Sequence, residues 1–173
     1  SAAGHCTNIR KVVEPVLQKE GGAVYYINLS QDDFKLGGSS FAQTLNKIGN
    51  TAPTIKDAAF FKNAFDTIQE LILEGQILAG HDIGSGGLIT TLLEMCFADV
   101  NLGLKIDFSV FEEKDIIKYH FAENIGIVFQ AKENNSVEHK MKEKNVFVST
   151  VCPGGMNTTP LLILQNKNQK GYR

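Results

Sequence analysis

The chain has no tryptophan, only three cysteines and four prolines in 173 residues, and almost no net charge. Each shortage excludes something. Cys6, Cys96 and Cys152 are an odd, widely spaced set without a CxxC pair, so they form neither a disulfide framework nor a structural zinc site. A reducing, cytoplasmic setting is the simplest reading of such cysteine usage. Seventeen Lys+Arg stand against 19 Asp+Glu, a formal charge of −2. That balance excludes a broad grip on nucleic acid, which needs clustered cations on phosphates. No apolar run approaches the roughly 18–20 residues that span a bilayer, so no membrane partner is expected. The N-terminus, Ser1-Ala2-Ala3-Gly4-His5-Cys6, lacks the basic-then-apolar layout of a secretory signal. It also lacks an initiator Met, so the chain is expected to follow processing or to be cut from something longer.

What is present is ordinary for a globular protein: 43% hydrophobic and 21% charged residues. A chain of this size buries roughly 70% of its unfolded surface, enough for one core and one domain. Residues 1–22, broken by Pro15 and Gly21-Gly22, read as a lead-in arm. Residues 23–165 read as the domain, and 166–173 as a polar tail. Aromatic and β-branched residues predict a strand over 23–29. A helix is expected from Ser39 or Ser40 to Gly49. Thr54-Ile55-Lys56-Asp57 has the spacing of a capping box with Thr54 at the cap. The helix it opens is expected to bury a stripe of Phe61, Phe65, Ile68 and Ile72, with Phe60 also in the core. Further strands are expected at 76–80, 103–108, 126–131, 146–151 and 161–164. Helices are expected at 112–123 and 136–144, the latter a mixed-charge, solvated face within residues 132–144. A further helix after Gly87 should bury Leu88, Ile89, Leu92, Leu93, Cys96 and Phe97. The order implies α+β layers, a mixed sheet covered by helices, rather than repeated βαβ winding.

Two glycine pairs stand where the chain enters a helix: Gly37-Gly38-Ser39 and Gly84-Ser85-Gly86-Gly87. Helix starts carry unpartnered amides and about half a positive charge, and glycine lets an anion approach the backbone. Gly84, Ser85, Gly86 and Gly87 are therefore candidates for cradling a phosphate, and Gly37, Gly38 and Ser39 form a second candidate anion turn. Asp82, two residues before Gly84, could hold Mg²⁺, a hard cation that prefers carboxylate and phosphate oxygens. Gly pairs equally mark tight turns and close helix packing, and neither a Walker lysine motif nor a GxGxxG accompanies these.

Other residues carry less. His81 beside Asp82 could serve as an oriented base, but neighbours on a strand point to opposite faces, and a hydrogen-bonded structural histidine is the plainer reading. Glu94 could reach the same site or simply sit half-exposed on its helix. His5, His120 and His139 show no metal-ligand spacing. Cys152, before Pro153-Gly154-Gly155, reads as a small residue ending a strand rather than a nucleophile.

Leu36-Gly37-Gly38-Ser39-Ser40-Phe41-Ala42-Gln43, then Leu78-Ala79-Gly80-His81-Asp82-Ile83-Gly84-Ser85-Gly86-Gly87-Leu88 and Leu92-Leu93-Glu94-Met95-Cys96-Phe97-Ala98, closely resemble the phosphoribosylformylglycinamidine synthase family. The match is to the second of its domains that are similar to the C-terminal domain of aminoimidazole ribonucleotide synthetase. The entry segment Ile9-Arg10-Lys11-Val12-Val13-Glu14-Pro15-Val16-Leu17 resembles it too, and the likeness fades after Phe111. The resemblance implies a partly ferredoxin-like sheet packed against a partner domain. It also implies a piece of an ATP- and glutamine-dependent ligase that converts formylglycinamide ribonucleotide to formylglycinamidine ribonucleotide. This domain would be structural and would support an auxiliary nucleotide (ATP or ADP) with Mg²⁺. The family's metal-binding Asp matches Asp82. Its nucleotide-contacting Ser falls at Gly84, which leaves only a backbone contact, and the next position, usually Asp, is Ser85. The family's catalytic histidine and glutaminase residues lie in other domains, so this piece alone is expected to be inactive. The alternatives are the C-terminal domain of a selenophosphate- or thiamine-phosphate-type enzyme, which the long paired motifs disfavour, and a scaffold domain without nucleotide. Separated from its partner domains, the piece is expected to pair with a second copy through exposed apolar surface.

Overall fold

A computed structural model describes residues 4–99, 101–132, 135–154, 156–157 and 163–165. In chain order the elements are β1 (Val24–Asn28), α1 (Ser40–Thr44), α2 (Ala58–Leu73), β2 (Ile77–Asp82), α3 (Gly87–Glu94) and β3 (Gly103–Asp107). They continue with α4 (Ile116–Phe121), β4 (Gly126–Ala131), α5 (Ser136–Glu143), β5 (Ser149–Cys152), β6 (Met156–Asn157) and β7 (Ile163–Gln165). The main sheet has the order β2-β4-β1-β5 with every pairing antiparallel. Setting aside the short α1, the excursion α3–β3–α4 and the strands β6 and β7 leaves βαββαβ, the ferredoxin-like arrangement. β3 forms a second small sheet, antiparallel to β6 and parallel to β7. The expected α+β architecture with mixed pairing is what forms.

The pleat sends alternate residues of the main sheet to two cores. Tyr25, Ile27, Phe129 and Ala131 meet Ala64, Ile68 and Leu71 of α2 and Val137 and Met141 of α5. Val24, Tyr26 and Val128 face the other way, onto Leu88 and Leu92 of α3, Leu104 and Ile106 of β3, and Tyr119 of α4. Ile77 belongs to the first core and Ala79 to the second although they are two residues apart. A register shift between them turns β2 over. The lead-in arm is stitched to β2 and to the end of α3: the Gly80 amide donates to Glu14 O at 3.1 Å and the Leu17 amide to Met95 O at 3.3 Å. The fully buried Gln130 accepts from the Gln18 amide and donates to its carbonyl, at 2.8 and 3.0 Å.

Several local expectations need correction. The cap of α2 is Asp57, whose carboxylate accepts from the amides of Ala59 and Phe60, both at 2.9 Å. Thr54 instead donates both its amide and its hydroxyl to the buried Asp32 carboxylate, at 2.9 and 3.3 Å. α2 buries Ala64, Thr67, Ile68 and Leu71 against the sheet, while Phe65 is exposed and Phe60, Phe61 and Ile72 are half-buried. α1 ends at Thr44, well before Gly49, and the chain turns left-handed at Asn46. The helix expected at 112–123 is only α4, capped by Asp115. After α3 the buried residue is Met95 and Phe97 is 72% exposed, because the helix ends at Glu94 and the phase is lost. The last main-sheet strand starts at Ser149 rather than 146. Part of the strand expected at 161–164, and the tail 166–173, lie outside the described residues.

No disulfide forms among the described residues, and burial pushes the Cys152 thiol up, consistent with a packed strand end. No helix among them is long and apolar enough to cross a membrane.

Candidate nucleotide site

β2 carries the chain to His81 and Asp82, beyond which Ile83 makes one more ladder-like bond, its amide to Gly126 O at 3.0 Å. The Asp82 side chain is 88% exposed. His81 does not diverge from it. At the strand's end the imidazole folds back, with Nδ1 2.7 Å from the Asp82 carbonyl oxygen and 3.3 Å from Asp82 Oδ1. Its Nε2 lies 3.4 Å from Glu94 Oε2, so Glu94 does reach the same cluster from the end of α3. Beneath His81 and Asp82 opens a groove of about 300 Å³ walled by Val13, Pro15, Ile68, Ile72 and Ile127.

The 84–87 turn follows. Gly86 and Gly87 adopt φ of 90° and 73°, a conformation that side chains disfavour. A Cβ on Gly87 would lie 2.7 Å from His120 O and 2.8 Å from the Phe121 backbone, so this glycine permits α4 to lie against the start of α3. The Gly87 amide donates to Gly84 O at 3.2 Å, and the Gly86 amide donates to Glu123 Oε1 at 2.8 Å. Gly84 and Ser85 are different: Ser85 is exposed, and nothing stands within 4 Å of a Cβ on Gly84. Among the described residues no acceptor sits on their two amides. Of the four candidate positions, the open donors are therefore Gly84 and Ser85.

The 37–39 turn spends its donors on itself. The Gly37 amide bonds to Thr51 O at 3.0 Å, the Gly38 amide to Ile48 O at 2.7 Å and the Ser39 amide to Leu36 O at 3.1 Å. Ser39 Oγ caps α1 by accepting from the Ala42 amide at 3.2 Å. The Ser40 amide goes to Glu123 Oε1 at 2.8 Å, the same oxygen that holds Gly86. The two glycine turns are thus neighbours in space, joined by one carboxylate, and only the second presents amides outward.

The approach to the first turn is held by Asp32. Its buried carboxylate meets Lys35 Nζ at 2.6 Å and Lys56 Nζ at 2.7 Å, and takes amides from Asp33 and Thr54 at 2.9 Å. Burial alone would raise its pKa, but these hydrogen bonds win and hold the carboxyl well below the usual range. Neither Glu123 nor Asp32 is identified by motif reasoning. Glu123 lies 37 residues from Gly86 and 83 from Ser40, and no local spacing betrays such a contact.

A metal at Asp82 fits the chemistry of an exposed carboxylate beside open amides, but this chain supplies only part of the ligand set. Among the described residues there is no group of three or more His, Cys, Asp or Glu able to hold an ion.

The model for the C-terminal domain of AIR synthase related proteins matches residues 19–152, which is most of the chain and includes both turns. The chain belongs to this family. The matched stretch of this AIR synthase related domain includes Asp82, both glycine turns and Glu123. The chain is 36% identical over 166 residues to a probable phosphoribosylformylglycinamidine synthase, chloroplastic/mitochondrial, of Arabidopsis thaliana, covering 94% of this chain. It is 35% identical over 162 residues to a probable phosphoribosylformylglycinamidine synthase of Caenorhabditis elegans, covering 84%. It spans only 12% of the length of each relative. The fold also matches T. maritima PurL complexed with ADP, with a TM-score of 0.63 at 14% identity over 92% of this chain and 25% of that one.

Proposed function

We propose that this chain is a domain of a phosphoribosylformylglycinamidine synthase, an ATP- and glutamine-dependent ligase of purine biosynthesis that makes formylglycinamidine ribonucleotide. The observation that carries this reading is the 36% identity over 94% of the chain to a relative of that name. Within such an enzyme the domain is structural and supports an auxiliary ATP or ADP with Mg²⁺. Asp82 would hold the metal, which would supply positive charge against phosphate, and the Gly84 and Ser85 amides would donate to the phosphate oxygens. Gly86 and Gly87 shape the turn. The remaining ligands and the reacting groups come from other domains of the parent protein, so this piece alone is inactive. That the named structural match is a complex with ADP supports the nucleotide assignment. The cysteine usage favours a cytoplasmic location; the Arabidopsis relative is named chloroplastic/mitochondrial.

The test is Asp82→Ala in the full-length protein. Nucleotide retained through purification should fall by at least about tenfold, the order expected when a metal site loses support, while glutaminase turnover is unchanged. Unchanged nucleotide content would overturn the assignment of Asp82.

A further inference from the structure

Glu123 takes part in neither motif, yet one of its oxygens accepts from the Ser40 amide and from the Gly86 amide, each at 2.8 Å. Those amides open α1 and α3. Helix starts have unpartnered donors and favour negative charge, and here both needs are met by a side chain of the chain itself. We propose that Glu123 is a positioning residue for the nucleotide site. It acts as an internal anion that locks the 84–87 turn to the 37–40 turn and so sets where Asp82, Gly84 and Ser85 face. The proposal rests on the reading of the Asp82 turn as a nucleotide site.

The surroundings of Glu123 support a rigid tie. Immediately before it, the backbone of His120 and Phe121 packs on Gly87, leaving no room for a Cβ. Phe121 stacks on Phe41 of α1 with ring centroids 4.7 Å apart, so the two helix starts are joined by packing as well as by charge. Immediately after it, the buried Asn124 donates to Ser30 Oγ and to the carbonyls of Asp32 and Asp33, at 3.0–3.3 Å. Residues 120–124 therefore form a strut between the loop that leads into the first turn and the start of α3. One consequence concerns the ligand. With the Gly86 amide already committed, a phosphate arriving at this turn meets the Gly84 and Ser85 amides, next to Asp82, rather than the axis of α3.

The test compares the full-length wild-type protein with E123A and E123Q, reading amide hydrogen exchange and the binding of ADP with Mg²⁺ by calorimetry. E123A should speed exchange at Ser40 and Gly86 together by roughly tenfold or more, the size of a lost charge-assisted hydrogen bond, with β4 core amides unchanged. Its affinity for ADP should fall by roughly tenfold at an unaltered enthalpic sign, because the donors of the turn are no longer held in place. Gln keeps an acceptor oxygen without the charge, so E123Q should lie between the two on both readouts. An E123A protein in which either amide exchanges as in the wild type overturns the tie, and E123Q exchange equal to the wild type at both amides overturns the role of the charge. Loosened amides with unchanged ADP affinity overturn the positioning role. If the full-length wild-type protein takes up no ADP, the nucleotide reading fails by itself, and exchange alone decides whether Glu123 joins the turns.

Discussion

Residues 36–40 and 84–87 begin as near twins, each a glycine pair at the entrance to a helix, and they end with opposite uses. In the first, the amides of Gly37, Gly38 and Ser39 close onto carbonyls of the same loop and its neighbour, so the turn is a self-contained knot. In the second, Gly86 and Gly87 are committed to Glu123 and Gly84, while Gly84 and Ser85 stay open beside an exposed Asp82. A glycine pair is thus permission for close approach, and tertiary neighbours decide whether backbone or ligand does the approaching.

The sharpest way to break the comparison is Gly87→Ala. The added Cβ meets backbone atoms at 2.7–2.8 Å and must adopt φ of 73°. Stability measured by chemical denaturation should fall by about 3 kcal/mol, from overpacking together with left-handed strain. A loss below about 1 kcal/mol would show that α4 does not press on this turn.

Next in size is Asp32→Asn, which removes the charge that gathers Lys35, Lys56 and Thr54 around the first turn. The melting temperature should drop by roughly 10 °C, as expected when a buried, hydrogen-bonded carboxylate loses its charge. Because Asp32 titrates below its ordinary value of 3.8 when folded, its contribution is complete above that pH and disappears as pH falls beneath it. The Asn variant should lack that part of the acid sensitivity.

A smaller effect separates the strut from both turns. His120 is buried among Phe108, Tyr119 and Phe121; its Nδ1–H donates to Ile116 O at 2.6 Å and its Nε2 has no partner. Burial pushes its pKa below the ordinary 6.5. A folded-state pKa that is lowered means stability is fully present above 6.5 and declines as pH falls below it. The denaturation midpoint should decrease between about pH 7.5 and 5.5, and His120→Phe should flatten that slope. An unchanged slope in the variant would assign the pH dependence to another group.

The smallest expected change is Gly84→Ala. With φ outside the left-handed region and no atom within 4 Å of the new Cβ, stability should shift by no more than about 0.5 kcal/mol. A large loss would mean that this half of the turn is as tightly packed as the first.

Much of the local structure was legible in the residues. β4 spans the expected 126–131, and β1 and α5 fall within a residue or so of expectation, because alternating aromatic and β-branched residues or a 3.6-residue period state their own preference. The capping of α2 was misread for a physical reason: Thr54 and Asp57 can both cap, and the choice went to Asp57 once Asp32 had claimed Thr54. Phe65 looks like core by type but faces out, since Ala64 and Leu71 fill the space against the sheet.

By itself the sequence determined the element types, the α+β layering and the two glycine turns with Asp82 just before one of them, all of which depend on residues close together in the chain. Only the tertiary structure decided that one glycine turn seals itself while the other opens, and that Glu123 joins them. Those outcomes depend on which distant carbonyl or carboxylate reaches each amide first. Such contacts cross 37 and 83 residues of chain, distances over which no local spacing carries a signal.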